Sequence, residues 1–256
     1  MPKVLMKNTR ALSVRRIATA LACAAVLMPL AACQGDADPA PAGDTNQASD
    51  DLGAGTRAQP NGVERLPARE IYEKGTQANA DAGSFRERMT RKDAKTDIRI
   101  SATECVGTVE KQRIGSFEII RKGNDVWAKI DTKFAGFAKA RGASLPAGKW
   151  IHGPQSNGLM RGLSSYCHHE RFTAPDKAST KMTRGTVAQV DGHSAVPVTT
   201  KSEDRSLAFY VATTGKSNIV KQESTGVSKY GDIVFTEFGK PVGAKAPTGE
   251  VMEAPN

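Results

Sequence analysis

The chain has few histidines, and none of them sits in a recognisable catalytic pattern. Only His152, His168, His169 and His193 occur in 256 residues, and none falls in a metalloprotease arrangement. The Gly-x-Ser-x-Gly elbow, the P-loop and the dinucleotide fingerprint are also missing. Glu118, Asp131, Glu203 and Asp204 are carboxylates of the kind that strands and turns carry on a solvated face. These absences argue against the common nucleotide-dependent and nucleophile-based enzymes, so the reading is a non-enzyme with no cofactor and no metal. Aromatic residues are also scarce, at 5%. That scarcity favours a core closed by small aliphatic side chains over a large cavity. No internal repeat is present.

Charge is missing locally as well. The first sixteen residues hold Lys3, Lys7, Arg10, Arg15 and Arg16 and no acid, whereas Ile17–Ala32 carry no charge at all. A basic start, an apolar run and small residues at its end are the plan of a secretory signal. The run is shorter than the ~20 residues of a spanning helix, and Pro29 interrupts it. A permanent membrane helix is the plainer alternative. Leu30-Ala31-Ala32-Cys33 has the form of a bacterial lipobox, in which the Cys33 thiol takes a diacylglyceryl group and becomes residue one of the mature chain. Cys23 lies inside the apolar run and has no such flank. More than one acyl chain is needed for stable residence on a membrane, and a lipoprotein has at least two. Arg15-Arg16 suggests twin-arginine export, but Ile17-Ala18-Thr19 match that signal poorly, so the route stays open.

Gln34–Glu64 contain no aromatic residue and set six acids against Arg57 alone. Such a segment buries too little apolar surface to offset its chain entropy. Residues 33–64 are therefore read as an acidic disordered tether with roughly 30 Å of reach, and residues 249–256 as a disordered tail. The signal, residues 1–32, takes five positive charges with it and the tether carries −5, so residues 65–256 hold +9. A basic head is attracted to an anionic membrane surface. Nucleic acid is the usual rival partner for a basic domain, but export and the even spread of Lys and Arg argue against it.

The head, residues 65–248, is long enough for one domain. After Pro67, residues Ile71, Gly75, Ala78, Ala82, Phe85 and Met89 recur at helical steps, which predicts a long helix over 67–91. The period then changes to two. Ile98 and Ile100 alternate with polar residues, and Phe117 and Ile119 share one face of a strand that turns at Gly123-Asn124 into a second, at Val126–Asp131. Phe134, Phe137 and Ala138 mark a short helix stopped by Gly142. Leu159, Leu163, Tyr166 and Cys167 mark another, stopped by Pro175. From Lys181 on, strands follow one another with turns at Asp191-Gly192 and Gly215-Lys216. Strands without intervening helices pair antiparallel, because parallel pairing needs crossovers. The class is α+β.

Cys105 and Cys167 are the remaining cysteines, and export makes a disulfide the expected state. The rival is a metal site at Cys167-His168-His169. Adjacent helical residues point about 100° apart and cannot all face one ion.

The segments GSFEIIRKGNDVWAKID, AGKWI and YGDIVFTEFGKPVGAKAP, together with the lipobox, resemble LolA-like bacterial lipoproteins of the LppX/LprG-type group of actinobacteria. The last segment places Tyr230, Phe235, Phe238, Gly239, Lys240, Pro241 and Val242 at matching positions. The resemblance implies a strongly curved antiparallel half-barrel with helices over its concave face and a lipid or lipoglycan between them. On that basis the cavity is expected to be lined by Ile71, Ala78, Phe85, Phe117, Ile119, Trp127, Phe134, Phe137, Leu163, Leu207, Phe209 and Phe235. The expected function is an extracytoplasmic lipoprotein, anchored through Cys33, that carries an amphiphile. The alternative is an envelope interaction module with a filled core and a protein partner.

Overall fold

The computed structural model describes residues 59–175, 181–201, 206–225 and 231–255. The signal, the lipobox at Cys33 and most of the tether lie outside these residues, as do Glu203, Asp204 and Tyr230. Gly53–Asn256 form one compact unit. Its described part holds the hydrophobic core and the Cys105–Cys167 disulfide, so the unit contains the determinants of its own folding.

A curved, open antiparallel sheet dominates. In chain order its strands are β1 Ser84–Arg91, β2 Ala94–Ser101, β3 Glu104–Lys111, β4 Gly115–Lys122, β5 Asp125–Ile130, β6 Trp150–Pro154, β7 Met182–Arg184, β8 Ala188–Val190, β9 His193–Lys201, β10 Ser206–Ala212, β11 Ile219–Thr225, β12 Asp232–Thr236 and β13 Val251–Glu253. They lie in the order β13-β6-β5-β4-β3-β2-β1-β12-β11-β10-β9-β7, with β8 also paired to β9. The β8–β9 hairpin turns on Asp191 (φ 49°) and Gly192 (φ 81°). Two successive positive φ values make the twist-matched two-residue turn. Gly107 in β3 lies so close to β2 that a Cβ would stand 2.2 Å from the Asp97 carbonyl oxygen. Glycine is required there for the backbones to approach.

The helices are α1 Ala68–Ala82, α2 Thr132–Lys139 and α3 Gly158–Ser164, followed by a 3-10 turn at His169–Phe172. The long helix expected over 67–91 ends at Ala82. Gly83 adopts φ 72° and closes it, and Phe85 and Met89 belong to strand β1. Their helical spacing from Ile71 is coincidental. The buried stripe of α1 is Ile71, Tyr72, Gly75, Thr76 and Asn79, with Ala78 only half-buried on its shoulder. Gly75 brings α1 directly onto β10 and β11: a Cβ there would meet Ile219 at 2.8 Å and Val211 at 3.0 Å. The small residues of this helix give close packing against the sheet.

Asn79 fixes that contact. It is fully buried, and its Nδ2 donates to the Phe172 carbonyl (3.3 Å). Its Oδ1 accepts from Ile219 N–H (3.1 Å) and Asn218 Nδ2 (3.2 Å). Asn79→Ala strands these partners in the core. We expect a loss of about 2 kcal/mol in urea unfolding, since each buried group left unpaired costs about 1–3 kcal/mol. An unchanged midpoint would show that water replaces the side chain.

Two boundaries differ from the sequence reading. Residues 61–64, assigned to the tether, belong to the head: Asn61 donates to the Ala212 and Gly215 carbonyls (both 3.1 Å), and Val63 is buried. Composition averaged over the segment hides these two residues. The tail also contains structure, because β13 pairs parallel with β6. Its Val251 and Met252 are exposed, so hydrogen bonds along an open sheet edge hold it instead of burial. His152 adds a latch, with Nδ1 3.0 Å from Glu253 and Nε2 3.1 Å from Asp125. The hydrogen bond to Glu253 is the main cause that raises its pKa.

Candidate functional site: a two-part cleft

Period-two alternation sends Phe85, Glu87 and Met89 of β1 to the face that carries Ala94, Thr96, Ile98 and Ile100 of β2. Phe117 and Ile119 of β4 share the buried side. Over this face lie α2, α3 and the 3-10 turn. Asp131 seats α2 on β4: its carboxylate accepts from Phe134 N–H (2.6 Å) and from Ser116 N–H and Oγ (both 2.8 Å). Partial burial raises the Asp131 pKa, but these hydrogen bonds outweigh it and hold the carboxyl below its ordinary value. Asn157 caps α3 by accepting from Leu159 and Met160 N–H. The disulfide joins Cys105 of β3 to Cys167, just before the 3-10 turn. Cys167 is therefore committed to sulfur, and the Cys167-His168-His169 triplet does not converge on one ion. His169 stacks on Phe85 (5.4 Å), while His168 faces Glu170 (3.9 Å).

Two adjoining cavities result. One, of about 280 Å³, is apolar; Ile114, Phe117, Phe134, Phe137, Leu159 and Leu163 line it. Its aromatic walls meet edge to face, Phe117 lying 5.7 Å from both Phe134 and Tyr166. The other, of about 310 Å³, is mixed, with Met89, Phe172 and Ile233 beside Glu87, Thr96, His168 and Arg171. Lys111 and Tyr166 belong to both linings, and the Lys111 ammonium lies over the Tyr166 ring at 5.1 Å.

The mixed cavity contains polar groups held out of water. Glu87 is 7% exposed. Desolvation pushes its carboxyl up to about 7, against the pull of the Arg171 charge. Thr96, paired across the strands with Met89, is also buried, and its Oγ1 has no hydrogen-bond partner among the described residues. Desolvation lowers the His168 pKa too. A buried hydroxyl and carboxyl at the wall of a cavity are a place for a polar ligand group.

Of the twelve residues expected to line a cavity, Phe117, Phe134, Phe137 and Leu163 line the apolar one. Ile71, Phe85, Ile119, Leu207, Phe209 and Phe235 are packed in the core, none more than 6% exposed. Trp127 is on the other face of β5, where it stacks on His152 at 5.0 Å. Val126, Ala128 and Ile130 point inward in its place. This is the one-residue parity error to which strands are prone. Ala78 sits on the shoulder of α1. Sequence reasoning missed Glu87, Thr96, Lys111 and Arg171. Alternation of Phe85, Glu87 and Met89 is readable, but a carboxylate on the buried face defeats an apolar pattern.

No protein-family model matches the sequence, and no curated protein matches it. Among solved structures, the lipoprotein LppX from Mycobacterium tuberculosis is similar, at 13% identity over 70% of this chain and 98% of that one, with a TM-score of 0.47. An uncharacterised conserved protein from Thermus thermophilus is similar at 8% identity over 73% of this chain and 99% of that one, with a TM-score of 0.36.

Proposed function

We propose that the chain is a lipoprotein anchored outside the cytoplasm through Cys33, whose head binds a small amphiphile in the two-part cleft. The observation that carries this reading is an apolar cavity and a mixed one side by side, with Lys111 and Tyr166 in both linings. Acyl carbons fit the first at ~0.8 kcal/mol per buried methylene, and a head group meets Glu87, Thr96 and Arg171 in the second. The two volumes lie at the low end of ligand pockets, ~300–1,000 Å³, so the ligand is a single-chain amphiphile in preference to a multiply acylated lipoglycan. The protein acts as a binder in place of a catalyst: Asp131 is committed to a helix cap, His152 to the β13 latch and Glu118 to Lys129 (3.4 Å).

Gly162 provides the test. It lines the apolar cavity, and no atom of the described residues lies within 4 Å of where its Cβ would stand. Gly162→Phe therefore adds volume at the site without meeting the core, and a helix loses nothing by losing glycine. The Gly53–Asn256 unit is expected to bind a dansylated undecanoic acid. Gly162→Phe should weaken that binding at least tenfold while the melting temperature holds or rises. The second reading, an interaction module with a filled core, is favoured by the direct seating of α1 on β10 and β11. It predicts no probe binding by either protein and an empty head in native mass spectrometry.

A further inference from the structure

Beside the cleft stand two hairpin tips, and their Lys92 and Lys95 line neither ligand cavity. The turn joining β1 to β2 and the turn joining β3 to β4 are tied together, Gln112 N–H donating to the Asp93 carbonyl at 2.9 Å. With the start of α2 they enclose a concavity of about 440 Å³ in which Arg91, Lys92, Lys95, Lys111 and Lys133 face Asp93, Glu110 and Asp131. Arg113 stands exposed on the second turn. The acids are partly spent: Asp93 pairs with Arg91 (2.5 Å), and Asp131 holds Ser116 and Phe134. Lys92 and Lys95 are exposed and make no ion pair among the described residues.

The tips adjoin the mouth of the cleft. Arg91, Ala94 and Lys111 line both this concavity and the mixed cavity. Ile114, at the second tip, is half-exposed and lines the apolar cavity with Phe137. Cations flanking a half-exposed apolar group are the arrangement that sits at a lipid headgroup boundary. Each Lys or Arg near an anionic leaflet adds a Boltzmann factor of about five in partitioning.

We propose that the two hairpin tips dock on the surface of an anionic phospholipid bilayer, with Lys92 and Lys95 supplying the attraction and Ile114 entering the interface. Docking in this pose sets the mouth of the apolar cavity against the membrane. The inference goes beyond the ligand reading and can fail separately from it, because neither Lys92 nor Lys95 lines either ligand cavity.

The test is co-sedimentation of the Gly53–Asn256 unit with vesicles of phosphatidylglycerol and phosphatidylcholine in equal parts, or of phosphatidylcholine alone. The expected result is partitioning onto the anionic vesicles at least about twenty-five-fold above the neutral ones, lost as salt rises. Lys92→Gln with Lys95→Gln should lower it about twenty-five-fold, at fivefold per charge. The control is Lys122→Gln with Lys240→Gln, which removes equal charge at the opposite ends of β4 and β1. It should lower partitioning less than threefold. Equal losses for the two pairs, equal binding to both vesicle types, or tighter binding to polyuridylate RNA than to vesicles would overturn the proposal. Dansyl-undecanoate binding is expected to be unchanged in the Lys92/Lys95 variant. Intact probe binding without vesicle binding removes the docking alone, and vesicle binding without probe binding removes the ligand reading alone.

Discussion

Replacing Cys105 and Cys167 together by alanine is expected to lower the stability of the Gly53–Asn256 unit by about 4 kcal/mol. The bridge spans a sequence separation of 62 residues, and freeing a loop of that length restores chain entropy to the unfolded state. Native consequences add to this. Both cysteines are buried, and the bridge ties the interior of β3 to the segment that supplies Tyr166, His168, Arg171 and Phe172 to the cleft. Loosening that wall should weaken binding of the acyl probe as well as the fold. Urea unfolding of oxidised protein and of the double variant measures the first effect, and probe titration the second. The unit contains only these two cysteines, so two reactive thiols in unreduced native protein would contradict the assignment.

Glu87→Gln should have the opposite sign, growing as pH rises above about 4.5 and complete just above 7. The carboxyl rises from an ordinary 4.5 to about 7 in the folded protein because burial penalises its charge. Between those values the unfolded chain releases a proton that the folded protein keeps. Stability from this group therefore falls as pH rises through the window and levels off above it. At about 1.4 kcal/mol per pH unit the full loss is about 3 kcal/mol. Glutamine cannot ionise. The variant should match the parent near pH 4 and exceed it by about 3 kcal/mol at pH 8. His152, with a raised pKa, and His168 and His169, with lowered ones, titrate in both proteins, so the difference between the two curves isolates Glu87. Parallel curves would mean that Glu87 reaches water. The same burial places a carboxyl that is half-protonated near pH 7 at the wall of the mixed cavity, able to donate or accept toward a ligand.

Several elements were legible because their signals are local. Turn residues at Gly123-Asn124 and Asp191-Gly192, with alternation on either side, specify hairpins wherever the strands come to lie. The two short helices that carry Phe134, Phe137 and Leu163 were legible from local apolar spacing, whereas a cavity lining was implied only by the resemblance. The region 67–91 misleads for a local reason too. Phe85 and Met89 continue the spacing of Ile71 and Gly75, so Gly83 reads as a weak point in a helix instead of its end. Trp127 misleads because a strand pattern with bulky residues on both faces does not declare which is inward.

The antiparallel α+β class, the pairing partners of the hairpins and the available cysteine pair are written in the order of residues, since each depends on neighbours in the chain or on elimination. Tertiary structure alone decided that α1 rests on Val211 and Ile219 through Gly75, leaving the cleft to α2 and α3. It also decided that Glu87, Thr96, Lys111 and Arg171 meet. Those four come from three neighbouring strands and a turn, set side by side by long-range pairing that no single segment encodes.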